Sequence, residues 1–223
     1  MDERVAEVLG STRYAKRAEQ LRAELDEIDS GIESDAVALR RAAVRRLRSL
    51  AMAELGWLLL PVREYFLSAT TQQRLAGAVD AEADAKVRLD LLRIIRHASE
   101  AYVTHPMWEP VHTEDEAIAW RAWVLPIAER SSVAADPDAR VEAAYLLAYC
   151  GDARAWDEFQ ELIPRRSGAL GLTELAVLRY PQSITDDTRR ALIALTQATA
   201  AAHPSRQYTA AAIEAALSAA RTP

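Results

Sequence analysis

Apolar residues in this chain recur at three- and four-residue spacing and rarely alternate, which predicts helices throughout and no sheet. The best-marked stretch is Asp136–Asp152, DPDARVEAAYLLAYCGD. Asp136 is a strong N-cap residue, because its carboxylate accepts a bond from an orphan amide of the first turn. Pro137 follows at the first helical position, where its missing N–H costs nothing. Val141, Ala144, Tyr145 and Ala148 form one apolar stripe. Ala143, Leu146 and Leu147 widen it nearly all the way round, so this helix is predicted to be buried between neighbours. Gly151 supplies the left-handed residue that ends a helix. Asp152 is then placed to cap the next helix, Ala153–Ile163, which stops at Pro164. So short a connection makes the two helices antiparallel.

The same reading extends along the chain. A short helix is predicted over residues 1–9. A charged amphipathic helix over 14–29 carries Leu21, Leu25 and Ile28 on one face and is ended by Gly31. A long helix from Asp35 to Leu60 has Leu39, Ala43, Leu47 and Leu50 as its stripe, with Pro61 as its end or kink. After a short helix at Gln72–Ala83, Asp84 caps one that runs to Val103, with Val87, Leu91, Ile94, Ile95 and Ala98 facing inward. Thr104–His112 has two prolines and no period, so it is a loop. Thr113 and Glu116 make a capping box for a helix carrying Ile118, Trp120, Trp123, Pro126 and Ile127. A loop with Gly168 and Gly171 leads to a helix at Thr173–Arg179, stopped at Pro181. Asp186–Ala202 and a final alanine-rich helix to Arg221 complete the chain.

Asp84, Asp136 and Asp186 each start a helix, and Arg88, Arg140 and Arg190 each stand four residues later. The intervals are 52 and 50 residues, with a fainter copy at Asp35–Arg40 about 48 earlier. An interval of this size is the signature of stacked structural repeats. Asp136–Asp152 resembles the second helix and following turn of a HEAT repeat, on Asp136, Pro137, Arg140, Ala143, Ala144, Leu147, Gly151 and Asp152. The resemblance implies an all-α, right-handed α-α superhelix, a HEAT-like solenoid of about four helix pairs. It implies one domain over 1–223, with an N-terminal cap at 1–34, repeats over 35–202 and a C-terminal capping helix at 205–221. In HEAT proteins the recurring Asp and Arg are structural. Asp84, Arg88, Asp136, Arg140, Gly151, Asp152, Asp186 and Arg190 are accordingly expected to hold the stack together, the arginines reaching an acid of the adjacent repeat.

Composition narrows the function classes. Half of the 223 residues are apolar, about a quarter are charged, and the seven glycines are scattered singly. The net charge is −6, whereas dedicated nucleic-acid binders are more often basic. Cys150 is the only cysteine, so no internal disulfide and no cysteine-rich zinc site is expected. The N-terminus, Met1-Asp2-Glu3-Arg4, lacks a basic-then-apolar signal pattern, and the apolar run near Leu55–Val62 is too short to span a bilayer. A cytoplasmic protein with no membrane partner is expected. Arg greatly outnumbers Lys, which occurs only at Lys16 and Lys86, and this points to a GC-rich bacterial source.

Two regions stand out chemically. Arg40, Arg41, Arg45, Arg46 and Arg48 crowd one helix, and Arg41, Arg45 and Arg48 share a face. That face is either a patch for phosphate or acidic groups, or a solvated surface neutralised by the acidic helix before it (Glu24, Asp26, Glu27, Asp29, Glu33). Over residues 1–50, ten acids balance ten bases. The second region holds His105, Trp108, His112, Trp120 and Trp123. The helical spacing of Trp120 and Trp123 makes them core, which leaves Trp108 as the candidate contact residue. A metal site at His105, Glu109 and His112 has no recognised ligand spacing, and no metal or cofactor is expected. No G-x-S-x-G, phosphate loop or zinc-type spacing occurs.

The expected function is a non-catalytic scaffold or adaptor that binds another protein, with Arg41, Arg45, Arg48, Arg88, Arg93, Trp108 and His112 as binding residues. The alternative is a DNA-binding protein resembling the HEAT-like glycosylases that remove alkylated bases. It would draw on Trp108, Trp120, Trp123, Asp115 and the arginines of the Asp35–Leu60 helix.

Overall fold

The computed structural model describes residues 10–52, 60–103 and 113–219. The predicted helix at 1–9, the loop at 104–112 and the tip of the last helix lie outside these. The described residues form eleven α-helices with short π and 3₁₀ turns, and no strand among them. Two compact units emerge, Met1–Trp123 and Val124–Pro223.

The first unit holds α1 (Thr12–Ile32), α2 (Val37–Ala51), α3 (Leu60–Leu67), α4 (Ala69–Ala81), α5 (Ala85–Ala98) and residues 114–123 of α6 (Glu114–Ser132). Ser11 caps α1, accepting from the Tyr14 amide at 3.2 Å. Leu21, Leu25 and Ile28 are buried as the stripe requires. Gly31 does not end this helix but lies inside its last turn. A Cβ added there would meet the Ala43 Cβ at 2.6 Å, so glycine is present because α1 and α2 pass too close for a side chain.

Helix α2 starts later and stops earlier than its apolar pattern indicates, with Met52 as its C-cap. Its buried stripe is Ala43, Val44, Leu47 and Ala51. Leu39 is 57% exposed. Pro61 falls in the first turn of α3, where proline is tolerated. Helix α5 is capped by Asp84, whose Oδ1 accepts from the Val87 amide at 3.0 Å, and all five inward residues expected of it are buried. It runs into a π turn over Ser99–Val103. The capping box of α6 is reciprocal: Thr113 N–H donates to Glu116 Oε2 at 2.8 Å and Glu116 N–H to Thr113 Oγ1 at 3.2 Å. Within this unit α2 lies on α5, while α1 lies on α3 and α3 on α4. Hairpin contacts between α1 and α2, and between α4 and α5, join these two layers.

The second unit holds α7 (Pro137–Tyr149), α8 (Arg154–Leu162), α9 (Ser167–Arg179), α10 (Asp186–Ala202) and α11 (Gln207–Ala219). Asp136 Oδ1 accepts from the Asp138 amide at 3.0 Å, and ten of the thirteen residues of α7 are buried. Gly151 has φ +78°. Its amide donates to Ala148 O and that of Asp152 to Leu147 O, each at 2.9 Å, the bond pair of a Schellman turn. Asp152 Oδ1 then accepts from the Arg154 amide at 2.9 Å, opening α8.

The expected loop at Gly168 and Gly171 is instead the first half of α9. Glycine costs a helix about 1 kcal/mol per residue. Burial of Ala169, Leu170, Thr173, Ala176 and Val177 overrides that cost. Helix α9 packs between α7 and α11, and α10 packs on α8 and α11. So α7, α9 and α11 form one layer and α8 and α10 the other.

The observed caps shift the spacing of the recurring arginines. Helix α10 is capped by Thr185, whose Oγ1 accepts from the Thr188 amide at 3.2 Å, and Asp186 is its first helical residue. The residue four beyond the cap is therefore Arg189. Taking true caps (Ala36, Asp84, Asp136, Thr185), an arginine stands four residues on in every case: Arg40, Arg88, Arg140 and Arg189.

Of these arginines Arg40 reaches an acid of the next helix pair, Glu82, and the other three do not continue a ladder. Arg40 donates to Ser34 O and Asp35 O at 2.9 Å, and Arg88 to Glu82 O at 3.0 Å, each tying its helix to the turn before it. Arg140 grips Glu158 and Glu161 of α8 at 2.8 and 2.7 Å. Arg189 is buried and donates to Leu217 O of α11. Arg190 is exposed and reaches only Asp187 of its own helix.

Candidate functional site

Most of the arginines of α2 turn toward α5 rather than toward the acidic helix before them. Arg40 makes a two-pronged pair with Glu82, Nε to Oε2 at 2.8 Å and a terminal nitrogen to Oε1 at 3.1 Å. The Arg40 guanidinium holds the Glu82 carboxyl below its usual range. Arg41 pairs with Asp84 at 2.5 Å and Arg48 with Asp90 at 3.0 Å. Only Arg46 turns back to α1, to Glu24 and Glu27. The acids of α1 find another cation, as Asp29 and Glu33 both take Arg74 of α4. Asp29 also accepts from the Tyr65 hydroxyl at 2.5 Å. Burial raises the carboxyl of Asp29 despite these donors.

On α5, Lys86, Asp90, Arg93 and His97 follow one another at helical spacing and make a stripe beside α2. Arg41, Arg45, Lys86 and Asp90 line one shallow cleft over Val44 and Val87. Asp90, with its side chain 8% exposed, is shared: Arg48 and Arg93 both approach its Oδ1, at 3.0 and 3.4 Å. Beyond it the His97 imidazole lies among Arg96, Arg48 and Arg93. Burial first, then these three cations, push its pKa down to about 4 from 6.5. It is therefore a neutral ring at physiological pH, with Arg96 at 3.4 Å from its Nε2.

Of the residues expected to bind, Arg41, Arg45, Arg48 and Arg93 gather on this seam. Arg88 does not, since its guanidinium turns to the far side of α5 and Glu82 O. Trp108 and His112, with His105 and Glu109, lie outside the described residues. Trp120 is fully buried, with its indole N–H donating to Ser99 Oγ at 2.8 Å and its ring edge-on to Phe66. That is a core position, unsuited to stacking on a base. Lys86 and His97 are members of the seam that sequence reasoning passed over. Their i, i+4, i+7, i+11 spacing with Asp90 and Arg93 was the available signal.

A second cleft, of about 260 Å³, opens on the other side of α2, floored by Val44, Ala78, Val87 and Leu91 and rimmed by Arg40 and Glu82. Those two charged groups satisfy each other and the backbone beside them, which leaves little polar capacity for a ligand. Among the described residues, no group of three or more His, Cys, Asp or Glu side chains is placed to hold a metal. No helix of the described residues is long and apolar enough to cross a membrane.

Fold and site together define an all-α protein with paired helices and a basic seam on one of its faces. No family model, curated protein or solved structure matches the chain.

Proposed function

We propose that the protein is a non-catalytic interaction module of HEAT-like type, whose helix pairs stack into a right-handed solenoid and present an extended surface to a protein partner. The observation that carries this reading is the layering inside each unit. In the second unit, α7, α9 and α11 stand side by side with α8 and α10 behind them. In the first, α2 stands on α5 with α1, α3 and α4 behind. Helices stacked this way bury their faces against neighbours of their own layer and leave one ridged surface open. The arginine four residues past a helix cap at Arg40, Arg88 and Arg140 is in keeping with repeated helix pairs.

Small-angle X-ray scattering tests the solenoid. An extended stack gives a radius of gyration well above the roughly 17 Å of a compact chain of this length. A value at the compact figure removes the solenoid. The interaction role is tested by affinity capture with the purified full chain, followed by calorimetry with each purified candidate. A single partner that binds reproducibly supports it, and the lack of any such partner removes it.

A further inference from the structure

We infer that the seam between α2 and α5 is the docking strip for an extended acidic segment of a partner protein, with carboxylates at alternate positions. This deepens the interaction-module reading and rests on it.

The charge balance of the strip is opposite to that of the whole chain. Arg41, Arg45 and Arg48 of α2 face Lys86 and Arg93 of α5, and the carboxylates set among them are Asp84 and Asp90. Among the described residues Arg41, Arg48 and Arg93 are met by those two carboxylates, which leaves Arg45 and Lys86 as the uncompensated cations on a protein whose net charge is −6. Arg45 and Lys86 are exposed and have no ion partner among the described residues. Such a local excess on a chain of negative net charge steers an acidic group to this place.

Geometry selects the form of the ligand. From Lys86 to His97 the strip runs roughly 16 Å at about 1.5 Å per residue. That length takes about five residues of extended chain at roughly 3.3 Å each. Alternate side chains of an extended segment point the same way, so acids at every second position place about three carboxylates on the strip. The strip already shows the chemistry, because Asp90 is held between the guanidinium groups of Arg48 and Arg93. Planar guanidinium forks suit carboxylates in this way. Neutral His97 closes the end of the strip near Arg48 and Arg93 without adding charge. A nucleic-acid duplex fits less well. It continues at one charge per roughly 1.7 Å far beyond the strip.

The test uses the purified full chain and fluorescence anisotropy with three labelled probes: a peptide alternating Glu and Ser, its Gln–Ser counterpart, and a short DNA duplex. The Glu–Ser peptide is expected to bind, more weakly as salt is raised. The double variant Arg45→Glu, Lys86→Glu is expected to lose about tenfold in affinity, while Arg13→Glu on α1 leaves it unchanged. Arg45 and Lys86 have no ion partner among the described residues, so circular dichroism and the melting temperature of the double variant should match the parent. Equal binding of the Gln–Ser peptide, an unchanged affinity in the double variant, or tighter binding of the duplex through the same two residues each overturns the inference. A captured partner that still binds the double variant at full strength overturns the strip while leaving the interaction module standing.

Discussion

Gly31 and Ala43 mark a close approach of α1 to α2: a Cβ on Gly31 would stand 2.6 Å from that of Ala43. Neither atom sits on a flexible arm, so the helices themselves must separate to admit a methyl group. Overpacking of this kind costs about 1–3 kcal/mol, against about 1 kcal/mol gained from alanine in a helix. Gly31→Ala is expected to destabilise the protein by about 1 kcal/mol in urea unfolding. Gly77→Ala in α4 and Gly171→Ala in α9, where nothing lies within 4 Å, are expected to stabilise it by about 0.5–1 kcal/mol. If all three variants shift stability the same way, the close contact is not what keeps Gly31.

The π turn after α5 is held by a relay. Trp120 N–H donates to Ser99 Oγ at 2.8 Å, and Ser99 O–H donates to Ile95 O at 2.7 Å. Ser99 is 1% exposed and Trp120 fully buried, so water cannot replace the hydroxyl. Ser99→Ala leaves the indole N–H unpaired and should cost about 1–3 kcal/mol. Trp120→Phe in the Ser99→Ala background should then add less than it does alone, which a double-mutant cycle in urea measures.

Arg189 and Arg190 are neighbours in sequence but differ in burial and partner: Arg189 is buried and Arg190 is exposed. Arg189→Ala removes a buried guanidinium that ties α10 to Leu217 O of α11, and is expected to cost about 2 kcal/mol. Arg190→Ala removes an exposed contact within one helix and should change stability by less than about 0.5 kcal/mol. Thermal unfolding of the two variants side by side gives the answer, and equal effects would show that the bond from Arg189 to Leu217 O does not hold α11.

His97 gives the protein a pH dependence of defined sign. Its folded pKa, about 4, lies below the ordinary 6.5 expected in the unfolded chain. Between these values the unfolded chain holds the extra proton, so stability is complete above 6.5 and declines as pH falls toward 4. Arg48, Arg93 and Arg96 oppose protonation, while Asp90 and Glu100 lie close by. Allowing for solvent at a half-buried ring, the loss amounts to about 1–2 kcal/mol. His97→Gln should flatten the urea midpoint between pH 7 and pH 5 relative to the parent, and an unchanged slope would show that His97 is not the titrating group.

Local signals carried much of the helix pattern because they depend on neighbours in the chain. The Asp84 and Asp136 caps, the Thr113–Glu116 box and the Gly151 turn each satisfy orphan backbone groups within a few residues, so side-chain type and spacing suffice to place them. Gly31, Gly168 and Gly171 were misread for the opposite reason. Their conformation is set by what packs on the helix, and a glycine tolerated for a close crossing looks in sequence like a glycine that breaks. The basic seam was half legible. The stripe Arg41, Arg45, Arg48 follows from helical spacing, whereas its partners Asp84, Lys86, Asp90 and Arg93 lie some forty residues away.

Asp136–Asp152 determined its own helix and turn, because every bond that ends α7 is made inside that stretch. By itself the sequence also determined that the protein is helical, through its apolar period and its caps. Only the tertiary structure decided the layering. Helix α9 exists because α7 and α11 bury its face, and once it is present Asp186 falls in a helix of the other layer. The fate of each arginine was decided there too. Arg140 reaches forward, Arg88 reaches back, Arg189 is buried and Arg45 is left in solvent. A long cation takes whichever acceptor packing brings within reach, and the chain's local pattern does not contain that information.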